Sequence, residues 1–158
     1  MRIKKTVVSA LIAIACFLMP RLSLAQFENG HSYLGLDMSF GTYGGFVIGA
    51  NFEAPITQPG TAGPGMFAIA PRLDVAFAGG GTAIGGALLA NYHFKLDDPR
   101  WDPFLGLGAS FIFSPIFYGW AAFNVGSRYY LNSGLAIRAL IGSIWGSFIF
   151  TAGVDWTL

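Results

Sequence analysis

Along much of the chain, polar residues fall on every second position. In residues 67–78 one parity reads Phe67, Ile69, Pro71, Leu73, Val75 and Phe77, and the other reads Ala68, Ala70, Arg72, Asp74, Ala76 and Ala78. Side chains of a strand alternate between its faces, so the spacing predicts a two-faced strand with one apolar side. Residues 84–96 repeat the pattern, setting Ile84, Leu88, Ala90, Tyr92, Phe94 and Leu96 against Asn91, His93 and Lys95. Residues 148–158 set Phe148, Phe150, Ala152, Val154, Trp156 and Leu158 against Thr151, Gly153, Asp155 and Thr157. Five more strands of lower contrast are predicted near 31–40, 45–53, 104–113, 117–131 and 135–145. Turn-forming residues separate the strands at 41–42, 55–65, 79–81, 97–103, 114–115, 132–134 and 146–147. The pattern therefore gives eight strands.

Composition names the solvent. Only 11% of residues are charged, against about a quarter in soluble domains, and the mean hydropathy is +0.56. In lipid every backbone polar group needs an internal partner, which leaves helices or a closed barrel. The uncharged stretches 104–127 and 139–154 keep a helical reading open on hydropathy alone. Twenty-two glycines, 16% aromatics, Pro115 inside the first stretch and the period-two alternation all oppose it. The predicted fold is all-β: a closed up-and-down antiparallel transmembrane barrel of about eight strands.

The first residues carry Arg2, Lys4 and Lys5, then an apolar run over 7–19 and the tripeptide Ser23-Leu24-Ala25. This is the order of a cleavable signal peptide, so residues 1–25 are expected to be a leader and 26–158 the barrel. The run is shorter than the roughly 20 residues of a spanning helix, and Pro20 breaks it. The one cysteine, Cys16, lies in this leader, where Ala13-Ile14-Ala15-Cys16 makes only a poor lipoprotein signal. Cleavage after Ala25 removes four of nine Lys+Arg and none of eight Asp+Glu, leaving a net charge of −3. That opposes nucleic acid as a partner. The remaining 133 residues allow about 17 per strand and connection, enough for a tilted strand of about 9–11 residues and a turn.

The parity opposite the lipid collects Asp37, Glu53, Asp74 and Asp155 with Arg72, Lys95, Arg128 and Arg138, joined by Asn51, Asn91, His93 and Asn124. Eight strands enclose space only for side chains, and charges held there must be paired. These residues are therefore expected to form a polar network filling the lumen. Small inward residues such as Gly35, Gly49 and Gly106 either clear room for larger side chains or leave space for a small apolar molecule. Phe67, Phe77, Tyr92, Phe94, Phe148 and Trp156 are expected in the aromatic girdles. Phe67 and Phe77 lie about 25 Å apart along the membrane normal at a tilt of about 40°. Pro71 cannot donate to the ladder, so a bulge or a weakly paired position is expected there.

Candidate chemistry is sparse. His31 and His93 show no metal-ligand spacing, and without cysteine in the barrel no cofactor or metal is expected. His31 beside Ser32 lacks the third member of a triad, and Gly79-Gly80-Gly81 has no helix behind it to make a phosphate loop. The chain is read as a non-enzyme.

Asn91-Tyr92-His93-Phe94 followed by Pro103-Phe104-Leu105-Gly106-Leu107-Gly108, together with Gly126-Ser127-Arg128-Tyr129-Tyr130-Leu131, resembles the OmpW-like and the Opa- and OmpA-like small outer-membrane barrels. The resemblance implies a place in the bacterial outer membrane, lipid as surroundings, termini in the periplasm, and insertion by assembly machinery that reads the C-terminal strand. The family usually ends in an aromatic residue, whereas this chain ends Trp156-Thr157-Leu158. Its outer turns are also short, which opposes an adhesin. The expected role is a structural or surface protein with a filled polar lumen. The alternatives are an OmpW-like narrow channel for small hydrophobic molecules, a lipid-modifying barrel enzyme, and a soluble lipocalin-like lipid binder with its apolar parity turned inward.

Overall fold

The computed structural model describes residues 31–42, 44–61, 63–115 and 117–158. The expected leader, its cleavage point and Cys16 lie outside them. Eight strands follow in order: β1 (Tyr33–Gly41), β2 (Phe46–Pro55), β3 (Met66–Ala78), β4 (Gly81–His93), β5 (Trp101–Ser114), β6 (Tyr118–Asn132), β7 (Leu135–Ile144) and β8 (Ser147–Thr157). Each pairs antiparallel with its sequence neighbours, and β1 pairs with β8 to close the barrel. Closure leaves no strand edge, which lets a sheet stand in hydrocarbon. The described residues of the uncharged stretches 104–127 and 139–154 are strand and turn, so the helical alternative fails there.

At one end, the terminal end, β1 begins and β8 stops, and the connections are 56–65, 94–100 and 133–134. The other, the hairpin end, has only the short connections 42–45, 79–80, 115–117 and 145–146. Outward positions carry the apolar side chains: Leu36, Leu73, Leu107, Ile141 and Phe150 are all more than half exposed. Asp74, Asp155 and Arg128 have no exposure at all. A lipocalin-like binder requires the reverse arrangement, and this structure excludes it.

The expected girdle residues sit at the two ends of this outer wall. At the terminal end Tyr92 packs edge-on to Phe67 and Phe94, at centroid distances of 5.0 and 4.9 Å, and Trp156 pairs across to Leu34 and Leu135. At the hairpin end Phe77 stacks on Phe46 at 5.0 Å, and Phe148 meets Phe123 at 5.9 Å.

Pro71 produces no bulge. The β2–β3 ladder lapses between the pairs Asn51↔Arg72 and Ala54↔Ile69 and resumes in the same register. A missing N–H thus removes local pairing without inserting a residue. Register shifts occur instead at Ile84/Gly85 and at Tyr130/Asn132.

If the outer wall is the lipid face, Leu107→Arg, at the middle of β5, should lower folding stability in vesicles by about 2–4 kcal/mol. Equilibrium denaturant titration measures this, and an unchanged midpoint would place Leu107 outside the hydrocarbon.

Candidate functional site in the barrel lumen

Every strand contributes at least one polar side chain to the interior, and these assemble into two linked ion clusters. The first lies toward the terminal end around Arg128 of β6. Its Nε donates to Asp155 Oδ2 (2.5 Å), its Nη1 to Asp102 Oδ2 (3.1 Å), and its Nη2 to Glu53 Oε2. A guanidinium offers five N–H donors in a fixed plane, which allows one cation to serve three carboxylates. The same group lies over the rings of Tyr33 (4.8 Å) and Phe104 (5.5 Å). His93 bridges two of the three acids, with Nδ1 2.7 Å from Asp102 Oδ1 and Nε2 2.9 Å from Glu53 Oε1. Asn91 donates to Glu53 (2.6 Å), and the Tyr130 hydroxyl reaches Tyr33 (3.2 Å) and Asp102 (3.4 Å).

The second cluster lies nearer the hairpin end. Arg72 binds Asp74 through Nε (2.9 Å) and Nη2 (2.6 Å), and its Nη2 also reaches Asp37 (3.0 Å). Arg138 donates to Asp37 (2.5 Å) and to Asn51 (2.6 Å). A contact of 3.4 Å between Arg138 Nη1 and Asp155 Oδ1 joins the two clusters. Above them the interior carries no charge: Val47, Ala76, Leu140, Ile144, Trp145 and Ile149 pack together, beside a buried hydroxyl pair of Ser39 and Thr151 at 2.6 Å.

Inward glycines make room for this network. A Cβ on Gly49 would stand 2.6 Å from carboxylate oxygens of both Asp37 and Asp74. One on Gly106 would stand 2.0 Å from Asn91 Oδ1 and 2.5 Å from Asn124 Oδ1. Those two amide oxygens have no hydrogen-bond donor among the described residues.

The sequence-predicted set Asp37, Glu53, Arg72, Asp74, Asn91, His93, Asn124, Arg128, Arg138 and Asp155 meets inside the barrel, with Asn51. Lys95 does not. The wall ends at His93, and Lys95 stands exposed in the connection 94–100, where its ammonium stays hydrated. Asp102 takes its place in the interior. The pattern assigned Asp102 to a turn over 97–103, but β5 starts at Trp101, which turns its side chain inward. The interior therefore holds five carboxylates, three arginines and His93. Tyr33 and Tyr130 also belong to it; both alternate with outward residues, and that parity was a usable signal.

Trp145 is predicted as a strand end. With Gly146 it forms the two-residue β7–β8 turn, at φ 53° and 73°, the left-handed pair that a type I′ hairpin requires. A bulky residue is strained there, at about 1–3 kcal/mol. The indole folds over the lumen mouth, its Nε1 3.4 Å from Gly86 O, while its backbone N–H donates to Ser110 Oγ (2.8 Å). Burial of that ring offsets the strain.

The geometry disfavours acid–base catalysis at His93, because both ring nitrogens already face carboxylates and neither is left to take a hydroxyl proton. His31 is exposed ahead of β1. Among the described residues no group of three His, Cys, Asp or Glu is placed to hold a metal. In the connection 94–100, hydrogen bonds from Arg100 hold the Asp98 carboxyl below its ordinary range.

Removing one partner of a buried ion network strands the others. Arg128→Met should therefore cost about 3–5 kcal/mol in denaturant unfolding, whereas Lys95→Gln should stay within about 0.5 kcal/mol. Equal effects would contradict the assignment of Arg128 to the interior and Lys95 to water.

No protein-family profile and no curated protein sequence matches the chain. Solved structures do. The N-terminal β-barrel domain of Pseudomonas aeruginosa OprF superposes with TM-score 0.63 at 13% identity, covering 82% of this chain and 98% of that one. A de novo designed transmembrane β-barrel gives 0.58 at 12% identity, covering 84% and 99%. Neisserial surface protein A gives 0.51 at 13% identity, covering 81% and 95%. The chain has the fold of the small eight-stranded transmembrane β-barrels.

Proposed function

We propose that the chain is an exported outer-membrane protein, cleaved after Ala25, that serves as a non-enzymatic structural or surface barrel with a filled, non-conducting lumen. The observation that carries this reading is the inverted partition: eight charged side chains cross-linked inside the wall, and leucine, isoleucine and phenylalanine outside it. A soluble protein has no use for such an exterior, and an open pore leaves its ionic groups hydrated. The likeness to OprF and to Neisserial surface protein A supports the outer membrane as the location. In that membrane, lipid and the assembly machinery that reads β8 are the proposed partners.

A narrow channel for small hydrophobic molecules is the second reading. It is favoured by the apolar upper lumen of Val47, Leu140, Ile144 and Ile149. A solute leaving that space toward the terminal end meets Arg138, Asp37 and Arg128 in turn, so passage requires the network to open.

Five measurements test the proposal. The mature protein should begin at Gln26 by mass spectrometry, should fractionate with outer membranes, and should change its gel mobility on boiling. In planar bilayers it should be electrically silent, and vesicles should show no protein-dependent uptake of small apolar dyes. Steady single-channel currents or dye flux would remove the filled-lumen reading and favour the channel.

A further inference from the structure

Charge is distributed unequally between the two ends of the barrel. Of the charged side chains among the described residues, those outside the lumen are Lys95, Asp97, Asp98 and Arg100, all in one connection at the terminal end. Asp98 and Arg100 form an exposed pair there at 3.2 Å. The hairpin end has none: residues 42–45, 79–80, 115–117 and 145–146 contain no Asp, Glu, Lys or Arg. Its polar side chains are hydroxyls such as Thr42, Thr82, Ser114 and Ser147.

Aromatic carbon covers the same rim. Phe117 and Phe148 are each 65% exposed, and Phe113 and Tyr118 are more than half exposed. Phe117 stacks against Phe111 and Phe113, at centroid distances of 6.0 and 6.4 Å, at the tip of the two longest strands, β5 (14 residues) and β6 (15 residues). The lumen mouth behind this rim is closed by Trp145 over Ile144, Ile149 and Val47. The hairpin end thus carries no charge at its rim or in the lumen mouth behind it, and its surface runs without a charged break into the outer wall.

We infer that the hairpin rim is a lipid-binding surface: it sits within the bilayer, covered by the glycerol-ester layer and first methylenes of membrane lipid, and only the terminal end meets water as a charged face. The occupant follows from continuity with the lipid-facing wall and from the absence of charge to hold an aqueous or anionic partner. Hydroxyls and uncharged backbone turns suit an interfacial layer, where Phe and Tyr side chains also settle. This inference rests on the membrane-barrel reading above. It makes the molecule one-sided, with no loop on the hairpin side for a soluble partner to grip.

The test uses the full barrel in lipid nanodiscs, which leave both faces open to reagent. The barrel over 26–158 has no cysteine of its own, so Phe117→Cys and Gly80→Cys report on the hairpin rim and Asp98→Cys on the terminal end. Gly80 has no atom within 4 Å of an added Cβ, so that variant folds even if Phe117→Cys does not. Each is treated with a charged maleimide. Because a charged reagent partitions poorly into lipid, positions 80 and 117 should label at least about tenfold more slowly than position 98. Equal rates in a barrel that still shifts mobility on boiling overturn the inference and leave the barrel reading intact. Failure to enter nanodiscs at all overturns the barrel reading itself. Slow labelling that becomes fast when the protein is diluted to one copy per disc means a second copy covers the rim, which also overturns lipid as the occupant.

Discussion

Hydrocarbon offers a backbone N–H no partner, and the closed ladder from β1 round to β8 is the response on which the rest of the molecule depends. Once the eighth strand pairs with the first, each strand has two faces and the barrel has one interior. That interior admits side chains and little else. Apolar residues go outward because lipid accepts them, and whatever polar side chains the sequence retains are forced into a confined space away from water.

Confinement then dictates chemistry. A carboxylate taken out of water costs several kcal/mol unless it is paired, so the five interior acids are threaded together by three arginines and His93. Arg128 is the densest node, touching Glu53, Asp102 and Asp155, while Arg72 and Arg138 share Asp37. The alternation that puts these long side chains in the lumen also puts glycine opposite them. Gly49 and Gly106 stand where a methyl group would strike the network, so their small size is a packing requirement. The apolar cap beneath Trp145 completes the filling at the other end.

Most of the fold was legible in the sequence because period-two alternation is a local property that lipid exposes without ambiguity. In the segments around Asp74, Asn91 and Asp155 one parity is lipid-compatible and the other is not, so face assignment needs no tertiary information. Strand ends are different. Lys95 lies just inside the β4–β5 connection and Asp102 just beyond it, and the register that excludes one and admits the other is set by where the wall stops. Trp145 departs from the pattern for a related reason: composition predicts the turn at Gly146-Ser147, but the tight hairpin closes one residue earlier, with a bulky residue in a conformation that glycine or asparagine usually takes. Of the bulge or weak pairing that Pro71 predicts, the structure has the second, a gap in the ladder with unchanged register. Which arginine binds which carboxylate was not readable, because it depends on how the strands stagger around the barrel.

Nitroxide scanning along β7 tests the central claim most directly. With labels placed singly from Ala136 to Ile141 in vesicle-embedded protein, oxygen collision rates should rise and fall with a period of two, high at residues 137, 139 and 141 and low at 136, 138 and 140. A period near 3.6, or maxima at 136, 138 and 140, would contradict a barrel with its charges inside.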